Sequence, residues 1–276
     1  MDVKAIKQEA TQLYNQKKEN IIPEFFYIGY VSLLAQYLQS GLFSFFVSLF
    51  LCPIAHGYIV CAIKTVECPS EEITYKDSLI GLLEFIRVAP SYLARKFVIL
   101  ISSLLVVSPI FILGMIDIPE FSLEWVASLG NAVIQTELFI PNYESLSMFN
   151  NQHMSTLMFV LLGIGVYLYL TAIYIFVPYV IEEDEYSFLE ALQLSSAIMR
   201  GNLINYIKLY LCFFPYHFMY WLVTGLAVLF ISPLSEITSL ICFVASLFIY
   251  IEFFKGKFEI AKYIFYKIAR SDQLFE

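Results

Sequence analysis

Charge is what this chain has least of. Only 14% of its 276 residues are Asp, Glu, Lys or Arg, against 59% hydrophobic residues. A soluble domain of this length has little use for so much apolar surface; the soluble alternative is an all-helical protein with unusually apolar core helices. Catalytic signatures are missing too. There is no H-E-x-x-H, G-x-S-x-G, Walker A or G-x-G-x-x-G string. Zinc-hydrolase, serine-hydrolase and nucleotide-binding chemistries therefore have no sequence support. The five cysteines, Cys52, Cys61, Cys68, Cys212 and Cys242, show no C-x-x-C spacing. Four lie in apolar runs and read as small packing residues with free thiols. No metal and no cofactor is expected. A formal net charge of −8 without a basic patch gives nucleic acid no footprint.

What the chain has instead is long apolar runs, with 26 Phe and 20 Tyr among them. Several reach the ~20 residues that cross a bilayer core. The runs predict six spans at about 21–38, 42–63, 97–115, 155–181, 203–230 and 237–254. Pro23 suits the first turn of the first span. Pro53 should kink the second and Pro178 the fourth, and Pro215 lies inside the fifth. The expected fold is all-α: a polytopic membrane helix bundle, one integral domain over 1–276, multi-pass in the cell membrane.

Between the runs lie amphipathic stretches. Residues 3–16 carry an apolar stripe of Ala5, Ile6, Ala10, Leu13 and Tyr14, which reads as an interfacial helix. Charges recur through the first twenty residues, which is not the pattern of a secretory signal. Residues 77–88 carry Leu79, Leu82, Leu83 and Ile86 at helical spacing and should stop at Pro90. Ser187 and Glu190 form a capping box that opens a third helix. Its apolar face holds Phe188, Ala191, Leu192, Ser195 and Met199, and Gly201 supplies its stop. The four acids Glu182 to Glu185 before it read as a solvated cluster; EF-hand spacing is absent. Residues 255–270 set Ile260, Ile264, Phe265 and Ile268 against Lys257, Lys262, Lys267 and Arg270. With surface helices preceding outward spans, the chain reads as three modules, 1–64, 65–181 and 182–254, closed by the helix 255–270. Such a collar should bury Leu83, Leu192 and Met199 and expose Gln193.

Charge sets the orientation. With the N-terminus cytoplasmic, all 16 Lys and Arg fall on the inner side, the positive-inside pattern. Both ends and the amphipathic helices are then cytoplasmic. The outer connections hold Asp117, Glu120, Glu124, Glu137, Glu144 and Glu236. Glu120, Glu124 and Glu137 make the outer face a candidate electrostatic site for cations or a cationic peptide. The plain alternative is a solvated loop.

Three stretches carry a resemblance: IKQEATQLYNQKKEN, CPIAHGYIVCAIKTVE and ALQLSSAIMRGNLINYIKLYLCFF. They resemble an uncharacterised family of bacterial integral membrane proteins, mainly Gram-positive, known as a domain of unknown function. That family is distantly similar to the membrane-spanning portion of some glycerophosphodiester phosphodiesterases. The resemblance implies a membrane bundle and carries no catalytic residues. The connection 116–154 is longer than usual for the family.

Two features inside the expected spans invite a function. His56 and His217 each follow a proline. Each imidazole either hydrogen-bonds a carbonyl that the proline frees or serves a ligand or a proton. In the fifth span Tyr206, Tyr210, Phe214, His217, Trp221 and Thr224 recur every three or four residues. Tyr206, Tyr210, His217, Trp221 and His56 are the candidate ligand-binding residues; the plain reading of such a stripe is core. The leading expectation is a non-enzymatic component that handles, senses or protects against a membrane-active or hydrophobic molecule. Lipid bilayer and a lipid or hydrophobic ligand are its partners. The rivals are a transporter or channel subunit, and a lipid-modifying enzyme using His56, His217 or the inner acids.

Overall fold

The computed structural model describes residues 1–37, 52–112, 154–183, 187–231 and 236–273. Every regular element among them is helical. The elements are α1 (Val3–Tyr37), a 3-10 turn (Cys52–Ala55), α2 (His56–Glu67), α3 (Tyr75–Ser78), α4 (Ile80–Leu83) and α5 (Phe85–Ile112). They continue with α6 (Met154–Ile173), α7 (Val177–Glu183), α8 (Phe188–Met199), α9 (Leu203–Ile231) and α10 (Glu236–Tyr250). A π turn (Ile251–Lys255) then leads into α11 (Gly256–Gln273). Two helical stretches, Phe85–Leu105 and Leu162–Glu183, are long and apolar enough to cross a membrane by length and composition. The chain divides into two compact units. The first is Met1–Leu33, Ile54–Phe85 and Arg200–Glu276; the second is Leu34–Pro53 and Ile86–Met199. The first unit draws on all three of the sequence modules.

α1 differs from expectation. A surface helix followed by a separate span was expected, with Pro23 at the joint; one helix of 35 residues runs through that proline. An interior proline costs about 3 kcal/mol. A continuous buried stripe on both sides of it offsets that cost: Val3, Ile6, Ala10, Tyr14, Ile21, Phe25 and Ile28. Of the predicted stripe, Ile6, Ala10 and Tyr14 are buried, Leu13 is half-buried and Ala5 is exposed.

The chain after α2 also corrects the sequence reading. Residues 77–88 do not form one surface helix. They split at Leu79 and Glu84 into α3, α4 and the start of α5. Thr74 opens α3 with a capping box, its N–H donating to Asp77 Oδ2 at 2.6 Å. Lys64 Nζ donates to the same oxygen at 3.0 Å. Burial raises the Asp77 carboxyl, but the Thr74 and Lys64 hydrogen bonds outweigh it and hold it below the usual range. The breaks at Leu79 and Glu84 interrupt the expected helical period, and Leu83 is 64% and Ile86, at the start of α5, 90% exposed. Pro90 does not stop a helix either; α5 runs through it. Pro53 lies in the 3-10 turn, where a kink was expected. Residues 42–51 lie outside the described ones, as does the connection 116–153.

In the second unit α8 follows its sequence pattern. The Glu190 carboxylate accepts from the Ser187 N–H at 2.8 Å and from its hydroxyl at 2.6 Å. Leu192 and Met199 are buried and Gln193 is exposed. Gly201 ends the segment with φ +83, a left-handed conformation that glycine adopts freely. The break between α6 and α7 follows from Pro178, which has no N–H for the Tyr174 carbonyl. Arg95 Nη1 donates there instead at 3.4 Å. Ser195 stitches the rest of the break. Its hydroxyl donates to the Ile173 carbonyl at 2.9 Å and accepts from the Phe176 N–H at 3.2 Å. Ser195→Ala leaves both buried backbone groups without that partner, and is expected to cost about 1–3 kcal/mol. Thermal melts in detergent check it, with exposed Gln193→Ala as the neutral comparison.

Candidate functional site

The site forms in the first unit, where α9 meets the π turn and α11. α9 turns Tyr206, Leu209, Phe213, His217 and Tyr220 inward. Their rings meet a second ladder. Tyr206 contacts Phe265 at 5.7 Å between ring centroids, and Phe213 contacts Phe258 at 5.5 Å. His217 lies 5.0 Å from Phe254 and 6.0 Å from Tyr250. Tyr220 lies 4.2 Å from Tyr250. The π turn explains the second ladder. Its wider i→i+5 bonding keeps residues four and five apart on one face. Tyr250, Phe254 and Phe258 follow one another at four-residue spacing, the first pair tilted at 5.2 Å and the second stacked at 5.1 Å.

The polar part of the site runs from the end of the π turn into α11. Glu259 is 2% exposed, and its two oxygens each accept from an ammonium at 2.7 Å, Lys255 on one side and Lys262 on the other. The spacing K-x-x-x-E-x-x-K puts all three on adjoining turns. The Lys255 ammonium also stands over the Tyr58 ring of α2, 4.5 Å from its centroid. Lys262 stands over Phe258 at 5.3 Å. Burial alone would push the Glu259 carboxyl up; the Lys255 and Lys262 charges outweigh it and hold it at about 2. A carboxyl held there is ionised at neutral pH and has no proton to give, so the cluster locks charge rather than transferring protons.

α11 is thus the main correction to the sequence reading. It was expected as a surface helix closing the inner face. It is buried on more of its surface than that, through Phe258, Ile260, Ala261, Tyr263, Phe265 and Tyr266, while Lys257, Lys262 and Arg270 are half-buried and Lys267 is exposed. Its lysines are accommodated by a carboxylate and by aromatic faces. Glu67 on α2 adds a further tie, accepting from the Tyr263 hydroxyl at 2.7 Å and pairing with Lys267 at 2.6 Å.

The sequence candidates fall as follows. Tyr206 and His217 are buried against α10, the π turn and α11, and half-buried Tyr210 touches His217 and Phe258. His56 is fully buried at the start of α2. Trp221 belongs to α9, but its side chain lies outside the described ones, as do Glu120, Glu124 and Glu137. Among the described residues no group of three or more His, Cys, Asp or Glu could hold a metal ion. Cys61, Cys68 and Cys212 are free thiols. Sequence reasoning missed Glu259, Lys255 and Tyr58. The one signal for the cluster was a single acid set among α11's lysines at helical spacing.

The fold and site together define an all-helical protein whose first unit is organised on a buried ion cluster in an aromatic frame. No protein-family model, curated protein or solved structure matches this chain.

Proposed function

We propose that the chain is a multi-pass cell-membrane protein of six spans, with both ends cytoplasmic. One observation carries this reading. The outer face of α9 exposes Ile204, Ile207, Leu211, Phe214, Phe218 and Leu222. They recur once per turn on a helix of 29 residues, about 43 Å long at ~1.5 Å per residue. α5 exposes Phe97, Ile101, Leu104 and Leu105 in the same manner. Such stripes are costly in water, at ~25 cal/mol per Å² of apolar surface, and are at home against acyl chains. The test is cysteine labelling in a cysteine-free background. Glu144→Cys should label from outside intact cells, and Glu190→Cys only after permeabilisation. Labelling of both from one side overturns the six-span reading.

Within that frame the chain is a non-enzymatic component that handles, senses or protects against a hydrophobic or membrane-active molecule. Its motifs resemble those of an uncharacterised family of bacterial membrane proteins. Support comes from the site, whose rings pack on one another and whose carboxylate is locked between two ammoniums. The acidic outer connection supplies the contact for a cationic, membrane-active peptide. Expression of the chain should lower cell sensitivity to such a peptide, with binding that weakens as salt rises. Charge reversal at Glu120, Glu124 and Glu137 should abolish the binding; unchanged binding rejects the contact.

A further inference from the structure

Three lysines converge beside a buried tyrosine where α1, α9 and α11 adjoin. The Lys257 ammonium stands over the ring of Tyr14, 5.5 Å from its centroid, and over that of Phe253 at 5.8 Å. Lys7 stands over Phe213 and Tyr216 at 5.3 and 5.2 Å. It spends one hydrogen bond on the Cys212 carbonyl, at 2.9 Å. Lys18, one turn beyond Tyr14, pairs with Glu252. Lys18, Glu252 and Lys7 are the charges felt at Lys257, so three ammoniums face one carboxylate that is already engaged. Lys257 has no ion pair among the described residues. Burial first, then the Lys18 charge, holds its ammonium below the usual lysine range, a strain that an incoming anion relieves.

The tyrosine beneath is the independent sign of a ligand. Tyr14 is fully buried, and its hydroxyl has no hydrogen-bond partner among the described residues. Buried polar groups rarely stand alone unless something else occupies the site. Gly256 makes the room for that ring: a Cβ there would come within 2.2 Å of it. The rim is apolar and open, with Phe253 51% and Tyr216 44% exposed. The two ammoniums thus each touch an exposed aromatic ring. Oxyanion donors and apolar surface side by side suit an anionic amphiphile, and lysines bind phosphate as point charges.

We propose that this junction binds the phosphate headgroup of an anionic phospholipid, with Lys257, Lys7 and the Tyr14 hydroxyl as donors and Phe253 and Tyr216 against the acyl chain. The proposal rests on the membrane reading above. Native mass spectrometry of the purified full chain in detergent tests it, with phosphatidylglycerol and phosphatidylcholine as probes. The wild type should retain phosphatidylglycerol several-fold over phosphatidylcholine. The Lys7→Gln, Lys257→Gln double variant should lose that preference, and Lys76→Gln, exposed on α3, should keep it. Tyr14→Phe removes only the partnerless hydroxyl. It should melt like the wild type without lipid yet lose several-fold in phosphatidylglycerol preference, so it carries the test if the double variant does not fold. Equal retention of the two lipids by the wild type, or an unchanged preference in Tyr14→Phe and the double variant, overturns the site. Displacement of the lipid by millimolar inorganic phosphate overturns the lipid assignment in favour of a small-anion site. Alkaline carbonate extraction separates the two readings, since wild-type chain that washes off the membrane refutes the span reading itself.

Discussion

Glu259→Gln is expected to destabilise the protein by about 3–5 kcal/mol, the usual cost of breaking a buried ion cluster by removing one partner. Glutamine keeps the size and one acceptor oxygen but removes the charge. Lys255 and Lys262, with side chains only 5% and 12% exposed, then sit as buried cations without their carboxylate. Replacing the three together, Lys255→Met, Glu259→Leu and Lys262→Met, should cost much less than the single change, because no unpaired charge remains. The effect carries a pH signature. Glu259 is held near 2 against an ordinary value of 4.5, so the folded state binds its proton less readily than the unfolded chain. Its contribution is full above pH 4.5 and is lost as pH falls through about 2. Melting curves of wild type and Glu259→Gln should therefore be far apart at pH 7 and converge between pH 4.5 and 2. A gap that stays constant over that window rejects the cluster as the source of the stability.

What the sequence discloses and what it hides divide along a physical line. α8 was legible because its determinants are local: a Ser–Glu box three residues apart, a stripe at helical spacing and a glycine in a left-handed conformation just after it. The inward stripe of α9 was legible only in part: Tyr206 and His217 are buried and Tyr210 half-buried, but Phe214 of the same expected stripe is exposed, and Phe213 and Tyr220 take inward positions. The helix junctions were not. Pro23 and Pro90 read as boundaries because proline costs a hydrogen bond, yet each lies inside a helix, and at Pro23 the helix around it buries enough to absorb that loss. α11 was hidden most deeply. Three lysines and an arginine on one helix, Lys257, Lys262, Lys267 and Arg270, read as solvated surface, since burying a cation is costly. Glu259, Glu67 and the rings of Tyr58 and Phe258 remove that cost, and two of those four, Glu67 and Tyr58, lie on α2, far away in sequence. Leu83 shows the reverse failure. Its spacing suggested a buried face, but α4 is a four-residue turn whose inward residue is Gly81.

Gly57→Ala is expected to be the most damaging of four glycine-to-alanine changes, at Gly57, Gly256, Gly201 and Gly165. A Cβ at Gly57 would stand 2.0 Å from the Ser78 carbonyl oxygen, 2.7 Å from its carbon and 2.9 Å from Ile28 Cδ1. The oxygen belongs to backbone, and that backbone is held from several sides. Thr74 and Asp77 cap α3, Lys64 holds Asp77, and the Ser78 hydroxyl donates to Glu24 Oε2 at 2.6 Å. With α3 unable to retreat, α2 must shift off α1, at about 3 kcal/mol or slightly more for overpacking of this kind. Three other glycines calibrate the same methyl. At Gly256 the obstacle is the Tyr14 ring, a side chain rather than backbone, and the cost should be about 1–3 kcal/mol. At Gly201 nothing lies within 4 Å but φ is +83, which costs an alanine about 1–2 kcal/mol. At Gly165 nothing lies within 4 Å and the backbone is helical. Alanine there should stabilise by about 0.5–1 kcal/mol. Melting temperatures of the four variants in one detergent should place Gly57→Ala lowest and Gly165→Ala highest. If Gly57→Ala melts with Gly165→Ala, α2 and α3 do not approach as closely as described, and the framework that holds Tyr58 over Lys255 fails with them.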